Sequence, residues 1–117
     1  MKRFASVFSL LLSLVLLLGI TLTGCQTAKS ETLTLDFYKI GKADAILIRG
    51  EKENGTPYYM LIDTGESDDA PEIVEKVRAA GADKLDCLIL THFDKDHIGG
   101  LPAVLQALPA DRILIPD

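Results

Sequence analysis

Basic charge and cysteine are both scarce in this chain of 117 residues. Twelve Lys and Arg stand against seventeen Asp and Glu, for a formal charge of −5. Lys2 and Arg3 are the only charged residues before position 25, so the remainder is more acidic still, at −7. A body without a basic surplus does not read as an electrostatic nucleic-acid binder and leaves only a local patch for that role. Two cysteines cannot make a disulfide scaffold. Repeats and low-complexity tracts are missing beyond the first segment, and the length allows one domain at most. Disorder is excluded by apolar runs such as Ala45-Ile46-Leu47-Ile48 and Leu85–Leu90, which can bury area.

What is present begins with an address. Lys2 and Arg3 precede an apolar run from Phe4 to Ile20, then Thr21-Leu22-Thr23-Gly24-Cys25. A positive start, a hydrophobic middle and small residues before a cut form the secretory pattern. The ending Leu22-Thr23-Gly24-Cys25 resembles the lipobox of bacterial lipoproteins. That resemblance implies a signal peptide over 1–24 and an acylated Cys25. Lipid chains would then hold the body at the membrane surface, on the extracytoplasmic side of a bacterial cell envelope. Gln26 in place of Asp would not favour inner-membrane retention in a two-membrane envelope. The alternative is an uncleaved helix, since the run sits at the lower edge of spanning length. Residues 25–32 read as a short polar tether. Cys87, within an apolar run, reads as a buried and unreactive thiol.

Residues 33–117 carry an α/β pattern. Leu33-Thr34-Leu35-Asp36-Phe37 alternates with the period of a half-buried strand. A turn near Gly41 leads to a strand over Ala45–Arg49, and Asn54-Gly55 marks a hairpin returning through Tyr58–Ile62. Asp68 or Asp69 can cap a helix with Pro71 and Glu72 in its first turn, an apolar stripe of Ile73, Val74, Val77 and Ala80, and Gly81 as its stop. Leu85–Leu90 reads as a central strand, Thr91–Asp96 as a polar loop, and Gly99-Gly100 as the opening of a helix to about Leu108. Arg112–Ile115 is a last strand. The order is β-β-β-α-β-α-β.

The loop carries the chemistry. Thr91-His92-Phe93-Asp94-Lys95-Asp96-His97-Ile98-Gly99-Gly100 gathers two imidazoles and two carboxylates, all good ligands for divalent metals. In an extended loop His92 and Asp94 share one side, and the turn into the glycines can swing Asp96 and His97 onto a second ion. Read alone, the stretch could be a solvated loop with incidental histidines. Its place after a buried strand and before a helix, where α/β enzymes put their sites, favours the metal reading.

These residues resemble the metallo-β-lactamase fold, whose loop reads His-x-His-x-Asp-His where this chain has His92-x-Asp94-x-Asp96-His97. The Asp in second place is similar to the extracellular hydrolase domain of the competence DNA-uptake channel protein ComEC. Ile40-Gly41-Lys42-Ala43-Asp44-Ala45 and Ile62-Asp63-Thr64-Gly65 match two further landmarks of that subgroup, the first with changes at Lys42 and Ala43. The resemblance implies the N-terminal half of an αββα sandwich and a hydrolase with two divalent ions. His92 and Asp94 would bind the first ion, and Asp96 and His97 the second, with the latter pair also at the reacting centre. Asp63 would hydrogen-bond and orient the ligand loop. Asp44 would face the cleft, or serve the turn alone. A hydroxide bridging the metals would be the nucleophile. The ions would be Zn²⁺ or Mn²⁺, the carboxylate at Asp94 making Mn²⁺ more plausible. DNA or another phosphodiester or ester would be the substrate.

The family's third His, bridging Asp and last His have no counterpart, because both histidines of the chain are already used. Asp111 and Asp117, the only later carboxylates, lie outside any family-like context. We therefore expect a fragment that folds poorly alone and is inactive. Two other readings remain in play. Asp63-Thr64-Gly65 is also the signature of aspartic proteases, in which paired Asp63 carboxylates of a dimer would share a proton. A surface lipoprotein could also keep the fold as a non-catalytic binding module. An EF-hand is excluded, since Asp94-x-Asp96 lacks its third acid, turn glycine and closing Glu.

Overall fold

The computed structural model describes residues 32–41 and 43–117. The expected signal peptide, Cys25 and all of the tether but Thr32 lie outside the described residues. Five strands form one sheet: β1 (Thr34–Phe37), β2 (Ile46–Glu51), β3 (Pro57–Ile62), β4 (Cys87–Ile89) and β5 (Ile113–Leu114). Among the described residues three helices accompany them: α1 (Ala70–Ala79), α2 (Lys95–Ile98) and α3 (Leu101–Ala107). The sheet order follows the chain, β1-β2-β3-β4-β5. The first three strands pair antiparallel, and β3, β4 and β5 run parallel. None of the helices among the described residues is long and apolar enough to cross a membrane.

The β2–β3 hairpin closes where Asn54-Gly55 stands. Gly55 N–H donates to Lys52 O, Gly55 takes φ +81°, and Lys52 N–H donates to Thr56 O. This is a four-residue turn, Lys52–Gly55, whose last residue is left-handed, a conformation that glycine adopts without Cβ strain. The Asn54 side chain reinforces it by accepting from Thr56 N–H and its hydroxyl.

The core lies between one face of the sheet and the helices. Leu47, Leu61 and Leu88 stand side by side across β2, β3 and β4, buried against Ala70, Ile73 and Val77 of α1 and Val104 and Leu108 beyond it. Each fully buried leucine contributes about 1.5–3 kcal/mol relative to exposure. The expected helix is present, but Asp69 does not cap it with its side chain. Its carboxylate accepts instead from Glu66 N–H, tying the preceding turn. The expected thiol burial at Cys87 is found.

The expected alternation is present in β1, and its apolar residues lie on the face away from the helices. Thr34 and Asp36 face the helix side, where Asp36 pairs with Arg49 at 2.7 Å. Leu35 and Phe37 point to the other face and are 47% and 72% exposed. They begin an apolar field that continues through Ile46, Ile48, Met60, Ile62, Ile89 and Leu114, residues that are exposed or only half-buried. Alternation reports two unlike faces, not which of them is covered. A field this broad favours association. Residues 32–117 produced alone are expected to self-associate and bind a hydrophobic dye, with Phe37→Lys and Leu114→Lys together reducing both. A dye-silent monomer in light scattering would contradict this.

Candidate metal centre

The parallel strands β3 and β4 end side by side, and the chemistry lies just beyond them. Asp63 N–H donates to Ile89 O at 2.8 Å, so the residue after β3 is fastened to β4. Asp63 then turns sharply, with φ +58°, a left-handed conformation uncommon for a residue other than glycine. The turn carries its carboxylate beneath the ligand segment, where it is 3% exposed. Oδ1 accepts from Thr91 N–H at 2.8 Å, and Oδ2 accepts from the Thr91 hydroxyl at 2.7 Å. Oδ2 also meets His97 Nδ1 at 2.9 Å. Both oxygens are engaged within the chain and the carboxylate is buried, so it is not presented to a second Asp63 as the shared-proton pair of an aspartic protease requires.

Residues 64 and 65 complete the grip. Thr64 donates to the His97 carbonyl twice, from N–H at 2.7 Å and from its hydroxyl at 3.0 Å. Gly100 N–H donates to Gly65 O at 3.0 Å. A Cβ on Gly100 would overlap the carbonyl oxygen of Thr64, so glycine is required there for close backbone approach.

The expected loop is half helical. Asp94 is extended, with φ −72° and ψ 148°, and its carbonyl accepts from His97 and Ile98 N–H groups to start α2. Asp96 and His97 therefore sit on a helical turn. The extended-loop geometry paired His92 with Asp94, and Asp96 with His97. The turn instead brings ligand atoms of His92, Asp96 and His97 within 4.8 Å of one another. The two imidazole rings lie 3.7 Å apart at their centroids. Asp94, 80% exposed at its side chain, approaches His92 Nε2 at 3.5 Å. Asp44, also exposed, has Oδ2 4.0 Å from His97 Nε2.

This donor set fits a divalent cation. Borderline nitrogen and hard oxygen converge, and Asp44, Asp94 and Asp96 add negative charge around them. Lys95, the nearby cation, is turned toward Glu66 at 3.3 Å. With Nδ1 of His97 occupied by Asp63, Nε2 is the ring atom left to coordinate. The Asp63 hydrogen bond also raises the His97 pKa above its ordinary 6.5, against the opposing effect of burial. Thr64 and Thr91 hold the two histidines' segment, a role the sequence reading gave to neither: Thr64 stood only as part of the Ile62–Gly65 landmark, and Thr91 only as the first residue of the loop.

Comparison with known proteins places this geometry. A family model described as the metallo-beta-lactamase superfamily matches residues 39–117. The chain belongs to the metallo-beta-lactamase superfamily. It is 32% identical over 108 residues to ComE operon protein 3 of Bacillus subtilis (strain 168), covering 79% of this chain and 13% of that protein. Its fold is similar to metallo-beta-lactamase SMB-1 bound to 2-mercaptoethanesulfonate, with TM-score 0.54, 21% identity and coverage of 67% of this chain. It is similar to the same degree to a Cronobacter sakazakii metallo-beta-lactamase with an HARLDQ motif, with TM-score 0.54, 20% identity and 67% coverage. The match spans 29% of each of those two chains. Within the superfamily domain, the sheet and helices described above correspond to its N-terminal portion.

Two outcomes follow. Gly100→Ala should cost roughly 1–3 kcal/mol in urea unfolding, because the overlap must push apart the 63–65 turn and α3. The pH dependence has a definite sign. A raised His97 pKa stabilises the metal-free fold fully below 6.5, and that contribution fades as pH rises through the raised value. The urea midpoint of metal-free protein should therefore fall between about pH 6 and about pH 8, and Asp63→Asn should flatten the slope. A midpoint that rises over that interval would refute the assignment.

Proposed function

We propose that this superfamily member contributes the His/Asp half of a metal-dependent hydrolase site, with a phosphodiester such as DNA as substrate class. The observation that carries the reading is the convergence of His92, Asp96 and His97 over the buried Asp63 carboxylate. His97 Nε2, His92 and a carboxylate oxygen of Asp96 would hold one ion. Asp94, set apart on the exposed side of His92, would serve a second, so the donor set suits two ions, Zn²⁺ or Mn²⁺. Bound ions of this kind supply Lewis acidity, which activates water and offsets charge on a leaving oxygen.

The chain's own residues supply order. Asp63 keeps the His97 proton on Nδ1, directing Nε2 outward. Thr64 pins the carbonyl of the same residue, fixing the backbone from which the ring extends. Asp44 borders the open side of His97, where a substrate would enter, and its charge would help retain a cation there. Both histidines of the chain are in this cluster, so any further nitrogen ligand has to come from outside this sequence. The phosphodiester assignment is supported by the Asp94 form of the motif, which resembles the competence channel's hydrolase domain. We further propose that Cys25 is lipidated and holds the domain on the outer side of a bacterial membrane.

Titration calorimetry with Zn²⁺ and Mn²⁺ tests the site directly. The full chain should bind either ion saturably, and His97→Ala or Asp96→Ala should weaken binding by at least about tenfold, in keeping with loss of a ligand or its support. Turnover of a phosphodiester reporter by the 117 residues alone should be negligible. Absence of saturable binding, or binding indifferent to both substitutions, would sink the reading.

A further inference from the structure

The metal reading leaves one well-placed group unassigned. The Thr91 hydroxyl oxygen lies 2.7 Å from Asp63 Oδ2 and 2.9 Å from His92 Nδ1. A hydroxyl carries one proton and can donate to only one of these neighbours. Donation to His92 would set the bare hydroxyl oxygen against a carboxylate oxygen at 2.7 Å, two acceptors with no proton between them. Donation to Asp63 removes that repulsion and leaves a hydroxyl lone pair facing the imidazole. That lone pair is satisfied when His92 carries its proton on Nδ1.

We propose that Thr91 is a positioning residue for His92: its hydroxyl donates to Asp63 and accepts the Nδ1 proton, leaving Nε2 as the ring's free lone pair. One buried carboxylate then sets both imidazoles. It reaches His97 directly at 2.9 Å and His92 through the Thr91 hydroxyl. The backbone bond from Thr91 N–H to Asp63 Oδ1 at 2.8 Å holds the threonine to the same carboxylate through its other oxygen, keeping the hydroxyl in reach of Oδ2. His92 is only half-buried, and no other described side chain holds its Nδ1. Without the relay the ring keeps its contact with His97 but loses the group that selects Nδ1 for the proton, while the Asp94 carboxylate 3.5 Å from Nε2 favours the other nitrogen. The effect on metal affinity rests on the hydrolase reading, whereas the tautomer of His92 does not.

The test uses the full chain, purified in detergent with ¹⁵N-labelled histidine, at a pH where both rings are neutral. Long-range ¹H–¹⁵N spectra of metal-free protein report which nitrogen of each histidine is protonated. Competition against a chromophoric chelator reports Zn²⁺ affinity. Thr91→Val keeps the shape and removes the hydroxyl; Thr91→Ser keeps the hydroxyl. We expect Nδ1–H at His92 in the wild type and in Thr91→Ser, and a tautomer mixture at His92 in Thr91→Val with His97 unchanged. Zn²⁺ affinity should fall about 10–100-fold in Thr91→Val and recover in Thr91→Ser, the range typical of losing a ligand's supporting partner. Proton residence on Nε2 of wild-type His92 would overturn the proposal, as would a His92 tautomer unmoved by Thr91→Val. Should Thr91→Val fail to fold, agreement of the wild type and Thr91→Ser on Nδ1–H still supports the relay. A wild type that binds no Zn²⁺ would instead defeat the metal reading, while the spectra still decide the role of Thr91.

Discussion

Everything distinctive about this molecule hangs from the Asp63 carboxylate. It sits in a left-handed turn at the end of a strand and is almost fully removed from solvent. Each feature has a cost: the backbone conformation about 1–2 kcal/mol, and burial of a charge considerably more unless it is paired. The balance is restored by three hydrogen bonds to the carboxylate, of the charge-assisted kind that contributes about 1.5–3 kcal/mol each. All three donors belong to the segment bearing the candidate ligands. The strain and the site are therefore one construction, since the turn is tolerable only while Thr91 and His97 occupy it.

The neighbouring residues make that construction rigid. Thr64 binds the His97 carbonyl from two donors, and Gly65 receives Gly100 N–H. The Asp63–Gly65 turn thus holds the ligand segment at its start through Thr91, in its middle through His97 and past its end through Gly100. A segment held at three points cannot drift far from one geometry, which is what convergent coordination by His92, Asp96 and His97 requires.

Much of this was legible in the amino-acid sequence where a local rule governs. Asn54-Gly55 marked a hairpin because a left-handed position selects glycine. The helix after Asp69 was visible from Pro71, its apolar stripe and Gly81. The His/Asp loop stood out because four metal-ligating side chains in six residues follow a buried strand and precede a helix. Other features depend on partners distant in sequence. The sense of β1 follows from which sheet face the helices cover, and a five-residue alternation holds no record of that. Asp69 had a capping residue's identity, but Glu66 N–H was a nearer partner for its carboxylate. The α2 turn at Lys95–Ile98 is too short for periodicity to reveal, yet it regroups the ligands. Thr91 acquires meaning only from Asp63, twenty-eight residues earlier.

The exposed side of the sheet bears on the site as well. Ile62 and Ile89 lie opposite each other on the uncovered face, one immediately before Asp63 and the other two residues before Thr91. Both are only partly buried, so apolar area remains against water at roughly 25 cal/mol for each Å². Strand ends that lack packing on one face open more readily than strands packed on both, because fewer apolar contacts oppose local unfolding. The Asp63–Ile89 backbone bond crosses this same pair of ends and carries the turn that holds the histidines. Covering the Ile62–Ile89 row would therefore stabilise the frame of the ligand segment without touching a ligand. Polar substitution along that row, by the same argument, would loosen the histidines' support from behind.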